Sequence, residues 1–309
     1  MVITTEGTFS VDGVTLFTKT WLPEGQLKAK VIMIHGFNDH IDRYFDFFPY
    51  LAERGIAVYG FDQRGWGKSV KTSSERGKTG PTTRVLADMA AFIRQQLPSE
   101  VPVFVLGHSM GGGQALTLAS SPGYEDLIRQ IRGWILESPF IGFSPELKPN
   151  WFTVASGRLA SHIVPNMHMY NHIPPEDVVK SPEVQESIRT DPLLHSTGTL
   201  EGLASMLDRT NALSGGKIAL SKNVKSLYLM HGQFDKTTSH EESKKWFGRQ
   251  LIPDGKFQSY DDRFAHQLHA DADREEFFRD TADWILERCE DGDKTTAGES
   301  AAPAAESKL

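Results

Sequence analysis

The chain has 309 residues, 24% of them charged and 39% hydrophobic, and a formal net charge of −7 at pH 7. That balance belongs to a globular protein, and the acidic excess argues against a polyanionic partner such as nucleic acid. Cys289 is the one cysteine, so no internal disulfide and no cysteine-built metal site can form; neither a metal nor a cofactor is expected.

The first residues have neither a basic start nor an apolar run, and no later stretch approaches the roughly 20 apolar residues that span a bilayer. A soluble, unsecreted protein is expected. Short apolar runs at 31–34, 57–61, 103–106, 134–136 and 227–230 read as buried parallel strands. Helical patterns at 44–54, 82–97 and 112–120 lie between them, the alternation of an α/β sheet. A last strand-like segment at 256–260 precedes a last helix at 274–289, which Asp273 caps.

The rhythm breaks between about 140 and 220, where Pro145, Pro149, Pro165, Pro174, Pro175 and Pro182 surround one amphipathic helix at 151–164. This segment reads as a cap inserted between core pieces 1–139 and 221–289. The helix carries Trp151, Phe152, Val154, Ala155, Leu159, Ile163 and Val164, which predict a face buried on the domain below or the inner side of a lid over an acyl chain. Residues 290–309 read as a disordered tail rich in small and acidic residues.

The run 103–106 leads straight into Gly107-His108-Ser109-Met110-Gly111 and then a helical pattern. This is a G-x-S-x-G elbow in its required strand–turn–helix setting, the mark of the α/β-hydrolase fold. The flanking glycines are needed because the serine sits on a sharp, strained turn. A phosphate loop is the competing interpretation, but the Lys-Ser/Thr pair that binds nucleotide is missing. The expected architecture is therefore an α/β-hydrolase fold, a mostly parallel central sheet flanked by helices with a helical cap insertion.

A serine hydroxyl needs a base, and in this fold the order along the chain is Ser, acid, His. Asp235 follows the run 227–230 and is the expected acid, with Glu137 as its competitor; other acidic residues could be surface charge. His266 and His269 follow the last strand, and His266 is the expected base. Backbone N–H groups of Phe37 and Met110 are the expected oxyanion donors. His35 and His108 read as structural.

The chain ends in Ser307-Lys308-Leu309, the tripeptide read by the peroxisomal import receptor. A peroxisomal matrix location is expected, with the cytoplasm or a lipid-droplet surface as the alternative.

These residues resemble those of the monoacylglycerol lipases over about 10–288. The resemblance rests on His35-Gly36, Asp39-His40, Arg43-Tyr44, the stretch Asp62-Gln63-Arg64-Gly65-Trp66-Gly67-Lys68-Ser69, the elbow, Asp191-Pro192-Leu193, and His231-Gly232 with Asp235 and His266. It implies a catalytic triad of Ser109, Asp235 and His266, oxyanion donors Phe37 and Met110, and head-group binding by Asp39, Arg43 and His269. A plain surface salt bridge is the other interpretation of Asp39 and Arg43. Two departures stand out: Thr238 occupies a place near the acid where animal members carry cysteine, and Phe37 is bulkier than the usual small residue. The implied reaction is hydrolysis of a small lipid ester, with transient contact to a lipid surface. A peroxisomal carboxylesterase or thioesterase and a non-catalytic ligand-binding protein are the competing expectations.

Overall fold

The computed structural model describes residues 2–147 and 150–298. Its strands are β1 (Val2–Val11), β2 (Val14–Pro23), β3 (Ala29–Ile34), β4 (Ile56–Phe61), β5 (Val103–His108), β6 (Gly133–Glu137), β7 (His168–Tyr170), β8 (Thr197–Thr199), β9 (Ser226–Gly232) and β10 (Asp254–Tyr260). Eight of them form one sheet in the order β1-β2-β4-β3-β5-β6-β9-β10. The pairs from β4 to β10 are parallel, and β1 and β2 add an antiparallel edge.

The apolar runs become central strands because both faces of the sheet are covered. Side chains alternate between two cores. Ile32, Val105 and Leu136 enter one, while Val31, Phe104 and Ile135 enter the other. Helix Thr82–Arg94 turns Val85, Leu86, Met89, Phe92 and Ile93 inward at helical spacing. It stops before the expected end at residue 97 because Pro98 disfavours helical geometry in the residue ahead of it.

The two ends of the chain differ from what the sequence predicts. The β1–β2 hairpin was not expected: β1 is polar and exposed along most of its length, so no buried alternation marks it. Its Asp12-Gly13 turn, with φ of 46° and 73°, supplies the left-handed pair such hairpins need. The last helix runs Arg274–Gly298, beyond the expected stop at Cys289; extending a formed helix is far easier than starting one. Residues 299–309, including Ser307, Lys308 and Leu309, lie outside the described residues.

The segment between β6 and β9 holds helices Trp151–Ile163, Pro182–Thr190 and Leu200–Ser214 and the small β7–β8 sheet. It is tied to the core through the glycine-rich stretch after β4. His195 Nε2 lies 3.0 Å from the Gly65 carbonyl and its ring stacks on Trp66, while Thr199 N donates to the Gly77 carbonyl. The expected inward face of the first helix is not what its described residues form. Leu159 and Ile163 are 67% and 75% exposed and Val164 is exposed as well; the side chains of 151–154 lie outside the described residues.

Candidate active site

The elbow forms where β5 meets helix Met110–Ala119, and Ser109 sits there at φ 52°, a left-handed conformation that a non-glycine residue adopts only under constraint. The flanking glycines are steric necessities. A Cβ on Gly111 would lie 2.1 Å from the Ile34 carbonyl oxygen, and one on Gly107 would lie 2.7 Å from that of Gly111. Ser109 itself is held by its N–H, which donates to the Glu137 carbonyl at 3.0 Å.

Asp235 and His266 meet, although 31 residues separate them: His266 Nδ1 lies 2.7 Å from Asp235 Oδ2. The carboxylate is further surrounded by donors. Oδ1 accepts from the N–H groups of Thr237 and Thr238, and Oδ2 lies near Thr238 Oγ1 and His231 Nε2, at 2.8 and 3.1 Å. Burial alone would raise this carboxyl's pKa; neighbouring His266 and the hydrogen bonds from His231 and His266 override it and hold the group far below the usual range. A residue fixed this way stays ionised and keeps the imidazole oriented. His231 and Thr238 were not singled out as partners of the acid, although the i, i+4 spacing of His231 and Asp235 at a strand end was visible.

Glu137, the competing acid, also has an imidazole partner, but a different one. Its carboxylate accepts from the His269 backbone N–H at 3.0 Å and lies 2.8 Å from His269 Nδ1. His269 is fully buried, stacked on Tyr44 at 4.4 Å. The head-group role expected of it is therefore not supported: the ring is sealed behind Tyr44 and His108 and is absent from the walls of either cavity beside Ser109. Among the described residues, His108, Glu137 and His269 are the group whose donor atoms come close enough to share a metal ion. The Glu137–His269 spacing is that of a hydrogen bond, which accounts for the pair without one.

Asp39 and Arg43 are not surface charges. Both are only 4% exposed, their ion pair spans 3.8 Å, and Arg43 also faces Asp191 at 3.5 Å. Burial favours a neutral Asp39, but His35, His108 and Arg43 outweigh it and bring its pKa down to about 2. His35 is structural as expected, since its Nε2 accepts from the Gln63 N–H. Asp62 in the same stretch clamps two loops, accepting from the N–H groups of Ile41 and Lys68.

Two cavities flank Ser109. The larger, about 320 Å³, is mostly apolar, and most of its wall comes from the insertion, with Leu147, Leu203 and Leu207 among its lining. Its volume is near the lower bound of typical small-molecule pockets. Phe37 and Met110 border it beside the serine. Met110 opens its helix, so its N–H has no intrahelical acceptor and is free to meet a developing negative charge. The smaller, about 60 Å³, has a mixed wall, in which Asp39, Arg43, Ser109, His266 and Gln267 stand beside Ile173, Val178 and Leu194. Ser109 thus borders a mostly apolar compartment and a smaller one that carries the charged pair Asp39 and Arg43.

Comparison with known proteins agrees with this architecture. The profile of the Hydrolase_4 family, described as serine aminopeptidase, S33, matches residues 25–273. A putative monoglyceride lipase of Schizosaccharomyces pombe is 32% identical over 277 residues, covering 88% of this chain and 71% of its own. Human monoglyceride lipase is 29% identical over 237 residues, 74% of this chain and 72% of the relative. A crystal structure of a soluble variant of Saccharomyces cerevisiae monoglyceride lipase with a substrate analogue superposes with a TM-score of 0.83 at 21% identity, over 93% of this chain and 96% of that one. The fold is the α/β-hydrolase fold, and the resemblance read from the motifs is borne out. The chain belongs to the Hydrolase_4 (serine aminopeptidase, S33) family, with the monoglyceride lipases among its relatives.

Proposed function

We propose that this protein is a serine ester hydrolase that cleaves monoacylglycerol to glycerol and a free fatty acid through an acyl-enzyme. The observation that carries the reading is the 2.7 Å contact between His266 Nδ1 and Asp235, with His266 and Ser109 on the wall of one small cavity. With Nδ1–H donated to Asp235, Nε2 is left as the base. It takes the Ser109 hydroxyl proton as the oxygen attacks the ester carbonyl, and the N–H groups of Phe37 and Met110 meet the oxyanion. Collapse breaks the bond to the glycerol oxygen, which leaves with the proton from His266. Water then repeats the sequence on the acyl-enzyme, releasing fatty acid and restoring Ser109.

The two compartments suit the two halves of such a substrate, the acyl chain in the apolar cavity and the glycerol beside Asp39 and Arg43. Exposed Leu159, Ile163, Met167 and Tyr170 on the insertion suit transient contact with a lipid surface. With Thr238 near the acid, thiol reagents should leave activity intact. Ser307-Lys308-Leu309 is read as an address for the peroxisomal import receptor and the matrix.

Glycerol release from monoolein by wild type and Ser109→Ala tests the reaction: equal rates in both would end the proposal. Acyl-CoA offered in competition with monoolein would expose a thioesterase by being consumed first. A fluorescent fusion with a free C-terminus tests the address; a diffuse signal unaltered by deleting Leu309 would count against import.

A further inference from the structure

The end of β6 carries no member of the proposed triad, yet it touches the chain segment of every member. The Glu137 carbonyl accepts the Ser109 N–H at 3.0 Å. The Glu137 carboxylate accepts the His269 N–H and faces its Nδ1, three residues past His266, and lies 3.5 Å from Nδ1 of His108, which precedes the serine. The carbonyl of the next residue, Ser138, lies 3.1 Å from Thr238 Oγ1, which in turn is 2.8 Å from Asp235. Ser138 has φ 44°, a second left-handed non-glycine residue beside Ser109, and such strain persists only where the surroundings enforce it.

A carboxylate in this place is not what the sheet requires. The rest of β6 is buried and apolar, and removing an unpaired charge from water costs several kcal/mol per ion. Glu137 is fully buried, and burial raises its pKa, but His269 and His108 outweigh that and keep it below the usual range. The loop it grips is also held elsewhere: the N–H groups of His266 and Gln267 both donate to the Val178 carbonyl of the insertion, the Ala265 N–H donates to Asp271, and Phe264 and Leu268 are buried in the core. Among these anchors, Glu137 holds the loop from the end of β6 and Val178 holds it from the insertion.

We propose that Glu137 is a positioning residue for the hydrolytic reaction, fixing the elbow through its backbone and the base-bearing loop through its side chain so that Ser109 and His266 stay in register. The inference rests on the reading of those two residues as nucleophile and base. A displacement of the base by about 1 Å is enough to cost on the order of 100-fold in rate, which sets the scale of what a lost clamp removes.

The test compares wild type with Glu137→Gln, which keeps the size and one acceptor for the His269 N–H but loses the charge and presents a donor to Nδ1. Both p-nitrophenyl butyrate and monoolein serve as substrates. The expected result is kcat lowered by roughly 10- to 100-fold with KM within about twofold, fluorophosphonate labelling of Ser109 slowed in parallel, and a folded protein by circular dichroism. Wild-type kcat in folded Glu137→Gln would overturn the proposal, and so would a loss carried by KM alone. If that variant does not fold, His269→Phe, which keeps the stack on Tyr44 and removes the Nδ1 contact, decides by the same two constants. Wild type inactive on monoolein but active on the nitrophenyl ester would defeat the substrate reading and leave this one standing; Ser109→Ala as active as wild type would defeat the nucleophile itself.

Discussion

The carboxyl ends of β5, β6 and β9 and the insertion that follows β6 are built on opposite terms. At the strand ends the backbone is packed so closely that a single added carbon at Gly107 or Gly111 collides with main chain, and the Asp235 and Glu137 carboxylates are buried with their hydrogen bonds made. The insertion leaves Leu159, Ile163, Met167 and Tyr170 in the open and contributes flexible leucine and methionine side chains to a cavity wall. Chemistry needs donors and acceptors fixed to fractions of an ångström, and backbone packing provides that. Substrate choice needs only a shaped apolar surface, which side chains can vary without disturbing the sheet.

If that division holds, substitutions at the strand ends should abolish turnover and substitutions in the insertion should redirect it. The largest effect is expected from Asp235→Asn. The amide oxygen can keep the Thr237 and Thr238 N–H bonds, but its NH₂ faces His266 Nδ1 and forces the wrong tautomer. A fall in kcat on the order of 10⁴ is expected, together with some loss of stability, because the amide nitrogen replaces a buried acceptor that faces His231 and His266. A loss under about tenfold, measured on p-nitrophenyl butyrate, would remove Asp235 from the mechanism.

Gly111→Ala probes the packing itself. With the new carbon 2.1 Å from the Ile34 oxygen and 2.5 Å from that of His35, both backbone, β3 or the elbow must move. Overpacking of this kind costs about 1–3 kcal/mol, and more where the obstacle is main chain. Urea denaturation should show the loss, and activity should fall further than stability because Ser109 moves with the turn. An unaltered midpoint would mean that the elbow is looser than its geometry.

Acid exposes the same region through Asp39. Its carboxyl is depressed from 3.8 to about 2, so it adds stability above its ordinary pKa, and that part is lost as pH falls from about 4 towards 2. The shift corresponds to about 2 kcal/mol. Urea midpoints across that interval should fall more steeply for wild type than for Asp39→Asn, which carries no titrating carboxyl there. Parallel slopes would assign the acid sensitivity elsewhere.

How much of this was legible depended on whether a residue's partner was near in sequence or set by rigid rules. The elbow was readable because steric necessity confines its residues to a G-x-S-x-G pattern between a strand and a helix. The carboxylate–imidazole contact of Asp235 and His266 could be anticipated because the order along the chain restricts the candidates. What could not be read was that Glu137 would take His269: the two are 132 residues apart, and only the folded sheet, with β9 and β10 beside β6, brings them together. The burial of Asp39 and Arg43 was equally hidden, since charged residues in a loop carry no local sign that an insertion will cover them. Leu159 and Ile163 misled in the opposite sense, because an apolar stripe does not say whether protein or another surface will meet it.

The smallest and most selective effect belongs to Leu207, on the apolar cavity wall contributed by helix Leu200–Ser214. Replacing it with tryptophan adds bulk to a space of about 320 Å³ while leaving the strand ends untouched. A long acyl chain must then give up part of its buried surface, at about 0.8 kcal/mol for each methylene displaced. Butyrate esters should react at nearly the wild-type rate, whereas oleate esters should lose several-fold in kcat/KM for each methylene expelled, since 1.4 kcal/mol is a factor of ten. An equal loss on both esters would mean that the insertion shapes the catalytic geometry itself, and the division drawn between the two regions would fail.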